Sequence, residues 1–346
     1  MSRLVKDRDY LETKEGLFFC VVGYLHPPNK YTAYLKYMPS TEGIWRRGGV
    51  KYSRLIKRYH VLQVKESFKL LKKSYPQYLH YCPVRKIRMS MVPVEYIKKH
   101  YIPEERLNEI MTSGGRDVLE KEVKSLVEWI VRETGIDVKY IGVTGSILLK
   151  IHNPKFSDID LVIYGLENVK RVKELMKKSH LDPRSPVRPF EEERMKEWCL
   201  EHAGDVKVNP KELLRIVRRR WNYGLYKGKR YFSIHAIRKD SEIREKYGDR
   251  LYEPKGEVEG IATISDSSES VFLPAIYKVE DVIIRRGERV DDILEIVSYE
   301  GMFSDVFYEG ERVKFKGKLE RVVDVHGYEY HRVLIGSTQV PHSYII

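Results

Sequence analysis

Apolar residues recur along this chain with two different periods, and the change of period divides it. From Val118 to Val131, the residues Val118, Leu119, Val123, Leu126, Val127, Ile130 and Val131 stand three and four apart, which predicts an amphipathic helix. Gly135 lies where such a helix ends in a left-handed cap. Before it, Leu17–Tyr24 and Tyr31–Tyr37 are aromatic and β-branched runs on either side of His26-Pro27-Pro28-Asn29-Lys30, a pattern that predicts a β-hairpin. Lys51–Lys73 alternates basic and apolar residues, Lys57, Arg58 and Tyr59 among them, and a stretch punctuated by Pro76, Pro83, Pro93 and Pro103 follows. After the helix, Val138–Val143, Ile159–Tyr164 and Arg230–Arg238 read as strands, with a basic helix over Leu213–Trp221. The short runs Val271–Ile276, Val282–Arg285, Arg312–Leu319 and His331–Ile335, set apart by Gly and charged turns, predict a small barrel or sandwich, an OB-like barrel being one form.

The expected fold class is therefore α+β, in three regions. An N-terminal region with helices and strands spans 1–112. A central unit spans 116–245, after the loop Thr112-Ser113-Gly114-Gly115. An all-β, barrel-like domain spans 255–346.

Composition changes the picture in two ways. The net charge of +13 favours polyanionic partners such as nucleic acid or nucleoside triphosphates. Abundant Lys, Arg and Glu beside only Gln63, Gln77 and Gln339 is a thermophile-like bias. The cysteines Cys20, Cys82 and Cys199 are sparse and far apart, which argues against a disulfide framework and a thiolate zinc site and leaves them as small buried residues. No apolar run approaches the roughly 20 residues of a membrane span, and Met1–Asp9 has no apolar signal segment, so the expectation is a cytoplasmic protein without a membrane partner.

The chemistry concentrates in Val138-Lys-Tyr-Ile-Gly-Val-Thr-Gly145-Ser146 and Asp158-Ile-Asp160-Leu-Val-Ile-Tyr164. Residues two apart on a strand share a face, so Asp158 and Asp160 project together. Paired carboxylates repel unless a cation sits between them, and a hard divalent ion with substrate phosphates suits that role. A glycine lets backbone approach a phosphate, the start of a helix offers free N–H groups, and the Ser146 hydroxyl adds a donor. On the strand Arg230–Arg238, alternation sets Ser233 and His235 on one face and Phe232, Ile234 and Ala236 on the other. His235 reads either as a general base or as an ordinary strand histidine. Arg218, Arg219, Arg220, Lys227, Lys229 and Arg230, interleaved with Trp221, Tyr223 and Tyr226, read either as a nucleic-acid-binding surface or as a solvated helix face and hairpin turn.

Apolar-Gly-Ser, a gap of about eleven residues, then Asp-apolar-Asp-apolar resembles the signature of the DNA polymerase β superfamily of nucleotidyltransferases, and the whole chain resembles archaeal members with extra flanking domains. The resemblance implies a mixed central sheet with helices. It implies that Gly145 and Ser146 bind a nucleoside triphosphate, to which Lys229 and Arg230 of the basic stretch are added as nucleotide-binding candidates. It implies that Asp158 and Asp160 hold Mg2+ or Mn2+, and that a nucleoside monophosphate passes to a hydroxyl acceptor, nucleic acid and RNA above all. Asp158, Asp160 and His235 would then be catalytic, and Arg218, Arg219, Arg220 and Trp221 would meet the nucleic acid. The family's third carboxylate is missing from the strand Arg230–Arg238; Asp205 and Asp240 are its rivals. A catalytically lapsed nucleotidyltransferase fold that serves as a nucleic-acid-binding or assembly module is the alternative.

Overall fold

A computed structural model describes residues 3–56 and 60–346, so Lys57, Arg58 and Tyr59 lie outside the described residues. The chain is α+β, with seven α-helices and three sheets among the described residues. None of these helices is long and apolar enough to cross a membrane.

The first sheet is antiparallel, and its hub is the strand Lys30–Pro39. That strand pairs with Ile87–Pro93 at its start, Phe18–Val21 in its middle and Val50–Arg54 at its end. The pairing with Phe18–Val21 is the hairpin expected from the flanking aromatic runs. Alternation gives the hub two buried faces. Ala33 and Leu35 join a core that includes Leu71 of the helix Val61–Ser74. Tyr34 and Lys36 turn instead toward a cavity shared with the central unit.

The central sheet runs in the order Val187–Arg188, Tyr223–Tyr226, Arg230–Ile237, Ile159–Tyr164, Ile141–Val143. Only the pair Ile159–Tyr164 with Arg230–Ile237 is parallel, and its register sets Asp160 beside Ser233. The helix read from the three-four spacing spans Val118–Thr134 and buries Leu119, Val123, Leu126, Val127 and Ile130 against this sheet. Gly135 ends it at φ 68°, and its N–H donates to the Val131 carbonyl. Its start is fixed by Asp117, whose Oδ1 accepts from the N–H groups of Leu119 and Glu120. The helix Pro103–Ser113, assigned by sequence to the N-terminal region, buries Leu107 and Ile110 in the central core. Residues Val138–Tyr140, expected as strand, form a 3-10 turn, and only Ile141–Val143 pairs.

In the C-terminal region the strands Arg250–Asp266, Ala275–Arg286, Ile293–Ser298, Glu329–Ile335 and Arg312–Asp324 pair in that order, and Arg312–Asp324 pairs back onto Arg250–Asp266 to close the ring. Ile293–Ser298 and Glu329–Ile335 are parallel, and the other pairs antiparallel. Val258, Ala262, Tyr277, Ile296, Phe315, Leu319 and Val333 fill the interior. Of the run Val271–Ile276, only Ala275 and Ile276 are strand; Phe272 packs into the central core instead. Cys20, Cys82 and Cys199 are buried free thiols, as their sparse spacing suggested.

Candidate functional site

A cavity of about 870 Å3 opens where the three parts meet. Gly145, Ser146, Asp158, Asp160, Ser233 and His235 all line it. Sequence alternation thus brought the right faces together: Phe232, Ile234 and Ala236 sit in the core while Ser233 and His235 look outward.

The floor is held tightly. The Thr144 N–H donates to the Asp160 carbonyl at 2.8 Å, and the Thr144 hydroxyl donates to the Arg8 carbonyl at 2.7 Å. Gly145 adopts φ +67°, and a Cβ placed there would lie 2.5 Å from Asp160 Oδ2. Only glycine lets the turn close on that carboxylate. The helix it opens, Gly145–Leu148, is a single turn. Arg230 does not enter the cavity. Its guanidinium donates to Glu122 Oε2 at 2.7 Å and to the carbonyls of Ser157 and Pro154 at 2.8 Å, bracing the loop that delivers Asp158. Lys229 is exposed beside Glu122 and also lies outside the cavity.

Asp158 faces the cavity within protein walls. Burial, with the charge of Asp160 beside it, pushes its carboxyl up to about 6. The Ser233 hydroxyl donates to Asp160 Oδ1, and His235 Nε2 lies 3.1 Å from the same hydroxyl. That oxygen has given its proton to Asp160, so it accepts from a neutral His235 carrying its proton on Nε2. Burial, then Arg8, Lys36 and Arg220, push His235 well below its ordinary pKa, which keeps the ring neutral. Neither Asp205 nor Asp240, the two rivals for a third carboxylate, lines the cavity, and among the described residues the acidic one that lines it together with the Asp pair is Glu201. The Asp205 carbonyl accepts from His342 on the barrel side, and Asp240 pairs with Lys6 Nζ at 2.5 Å.

The N-terminal sheet supplies what the central unit lacks. Arg8, Lys36 and Arg54 line the cavity beside the Asp pair. Among the described residues, Lys36 and Arg54 have no carboxylate at ion-pair distance, while Arg8 Nε lies 3.4 Å from Asp7. Burial, then Arg54, brings the Lys36 ammonium down to about 8. Arg8 itself has φ 68°, an unfavourable backbone for a side chain-bearing residue that the Thr144 bond helps hold.

The basic helix is Pro210–Val217, ending short of the Trp221 expected, and the basic residues that follow it divide. Arg218 and Arg220 line the cavity, Arg218 paired with Glu192. Arg219 turns to the barrel, donating to Glu311 at 2.7 Å and to the Val306 carbonyl at 2.9 Å. Trp221 is buried, with Nε1 donating to Asp305 Oδ2 at 2.6 Å. Aromatic residues that line the cavity include Trp198, Tyr223, Phe190 and Tyr231 from the central unit, and Tyr10, Tyr34, Tyr37 and Trp45 from the N-terminal region.

The chain is 31% identical over 344 residues to the uncharacterized protein MJ1086 of Methanocaldococcus jannaschii, an alignment that covers 97% of this chain and 96% of that one. The chain belongs to the same family as MJ1086. No family model and no solved structure matches it. The likeness to MJ1086 spans all three parts, so it takes in every element that lines the cavity.

One other group has metal-ligand character. Asp117, Glu120 and His152 bring ligand atoms within 4.8 Å of one another. Each atom already has work there. Asp117 caps the helix and holds His152 Nε2 at 2.8 Å, and Glu120 pairs with Arg106 and accepts from the Arg116 N–H. A helix start pinned by buried ion pairs accounts for the cluster.

Proposed function

We propose that this chain is a divalent-metal-dependent nucleotidyltransferase that moves a nucleoside monophosphate from a triphosphate to a hydroxyl on a nucleic acid, RNA above all. One observation carries the reading: Gly145, Ser146, Asp158 and Asp160 meet in one cavity that Arg8, Lys36 and Arg54 also line. Two carboxylates against a cationic wall match the alternating charges of metal and polyphosphate. The mixed central sheet, with the Asp-bearing strand between an antiparallel and a parallel neighbour, supports the same fold family.

The donor set fits a divalent ion. Asp158 and Asp160 offer hard oxygen ligands, and the charge of Asp160 is one cause of the raised Asp158 carboxyl, a repulsion that a divalent ion between them would relieve. Bound Mg2+ or Mn2+ supplies neutralisation of charge on the transferring phosphate and on the departing oxygen. The protein's own residues do the rest. Gly145 lets the turn close on Asp160, Ser146 offers a hydroxyl to phosphate, and Lys36, Arg54 and Arg8, beside the Asp pair, hold the polyphosphate. Ser233 and His235 position Asp160 through a hydrogen-bond chain.

A second reading, nucleotide binding without transfer, is favoured by Ser233 standing beside Asp160 where a third carboxylate is expected. Incubation with triphosphates radiolabelled at the α-phosphorus, with RNA, DNA or protein acceptors, separates the two. Metal-dependent incorporation that vanishes in Asp158→Ala/Asp160→Ala supports transfer. Triphosphate binding without incorporation supports the second reading. A Ser233→Asp variant is expected to bind Mn2+ about tenfold more tightly, through added ligand charge. Unchanged Mn2+ affinity would count against Asp158 and Asp160 as the metal ligands.

A further inference from the structure

We propose that the wall formed by Trp198, His202, Arg220 and Tyr223 is the acceptor subsite, and that it takes the terminal nucleotide of a single-stranded nucleic acid. This rests on the nucleotidyltransferase reading. Sheet order fixes the side. The strand Ile159–Tyr164, which carries Asp160, lies between Ile141–Val143 and Arg230–Ile237. Gly145 and Ser146 follow directly from the first neighbour. Ser233 and His235 lie on the second, and Tyr223–Tyr226 lies beyond it.

Displacement at the α-phosphorus is in line, so the attacking oxygen enters opposite the leaving one. A triphosphate whose tail lies on Gly145 and Ser146 therefore directs the acceptor to the flank of Ser233, His235 and Tyr223. The acceptor hydroxyl oxygen bonds to the α-phosphorus. The bond from that phosphorus to the bridging oxygen breaks, and pyrophosphate leaves with the electron pair. The hydroxyl proton passes to a cavity carboxylate and on to water.

The chemistry waiting on that flank is specific. The rings of Trp198 and His202 stack at 3.9 Å with an interplanar angle of 12°. The Arg220 guanidinium lies 3.8 Å from the Tyr223 ring centre and 5.8 Å from that of Trp198. Among the described residues Arg220 has no carboxylate at ion-pair distance, and its buried Nε has no hydrogen-bond partner. Trp198 and Tyr223 are half-buried and open to the cavity, whereas the neighbouring Trp221 is closed into the core. Aromatic faces beside a guanidinium without a counter-charge suit a base and its phosphate, and suit the side chain of a protein acceptor poorly. The volume, about 870 Å3, lies near the top of the range for one small ligand, which leaves room for a second nucleotide beside the triphosphate.

Fluorescence anisotropy with labelled single-stranded RNA and DNA of about ten nucleotides tests this on the full chain, alongside titration of triphosphate with Mg2+. Trp198→Ala and Arg220→Gln are each expected to weaken strand binding about tenfold. Trp198→Phe, which keeps a stacking face, is expected to restore it, and triphosphate affinity is expected to stay within about twofold of wild type because the wall lies off the triphosphate. The RNA and DNA arms show which strand is preferred. Unchanged strand binding in both variants overturns the proposal. So does a wild-type protein that binds triphosphate but no strand, and so does a parallel loss of triphosphate affinity. A wild-type protein that binds the strand through this wall but takes no triphosphate overturns the transferase reading instead, and with it the acceptor role.

Discussion

At the scale of single residues, the floor of the cavity tolerates little. Replacing Gly145 with Ala adds a Cβ at φ +67° and drives it against Asp160 Oδ2. The backbone strain alone is worth about 1–3 kcal/mol. Part of the cost is relieved by moving the carboxylate, so Gly145→Ala is expected to lose at least about tenfold in Mn2+ affinity while the protein still unfolds cooperatively. Calorimetric titration beside a thermal melt checks both. The carboxylates and their neighbours were legible in the sequence because Asp158 enters and Asp160 lies on one strand, and Ser233 and His235 lie on the next, with plain alternation. Asp158 with Asp160 and Ser233 with His235 follow from period two alone. Arg8, Lys36 and Arg54 were not legible. Lys36 and Arg54 sit on the N-terminal sheet and Arg8 in the turn before its first strand, all more than a hundred residues earlier, and no local pattern says that this region closes over the Asp pair. Trp221 was singled out over Trp198 for a related reason. Both stand near arginines, and only the packing shows that Asp305 takes the first into the core.

At the scale of elements, one side chain props the approach to the metal ligands. Arg230 ties Glu122 of the helix Val118–Thr134 to the carbonyls of Pro154 and Ser157. Arg230→Met leaves a largely buried Glu122 without its main partner and two carbonyls without donors. The expected loss is about 3 kcal/mol, read from denaturant unfolding, together with weaker Mn2+ binding as the loop before Asp158 loosens. An undiminished unfolding free energy would show that the loop is held by other contacts. The helix Val118–Thr134 was readable from its spacing and from Gly135 at its end, while Asp117, which caps its start, was not singled out in the sequence. By contrast, the strand Arg250–Asp266 escaped pattern reading. Pro254 and Gly256 interrupt its alternation, and the pairing with Arg312–Asp324 shifts register there.

At the scale of the whole molecule, the seam between the N-terminal sheet and the barrel holds a buried acid. Glu300 accepts from the Val61 N–H at 2.9 Å, and burial raises its carboxyl from 4.5 to about 8. A group protonated in the folded protein and ionised in the unfolded chain lends stability below its unfolded pKa. That contribution drains away as pH rises through the folded value. Wild-type stability is therefore expected to fall between about pH 4.5 and 8 by a slope approaching 1.4 kcal/mol per pH unit from this group. Glu300→Gln is expected to flatten that part of the profile. An identical profile in the variant would mean that Glu300 stays ionised in the fold. Nothing in the local sequence around Glu300 marks it as interior, because the partner that buries it, the start of the helix Val61–Ser74, lies 239 residues away.

The bond from Trp221 to Asp305 has a consequence for how the protein is made. The two residues are 84 apart, and synthesis runs from the amino end. At about 5–20 residues per second, the segment carrying Arg218, Arg220 and Trp221 leaves the ribosome roughly 4–17 seconds before its anchor exists. The Asp pair and its cationic wall are complete by then, but the flank bearing Trp198 and Tyr223 sets last, when the barrel strands arrive.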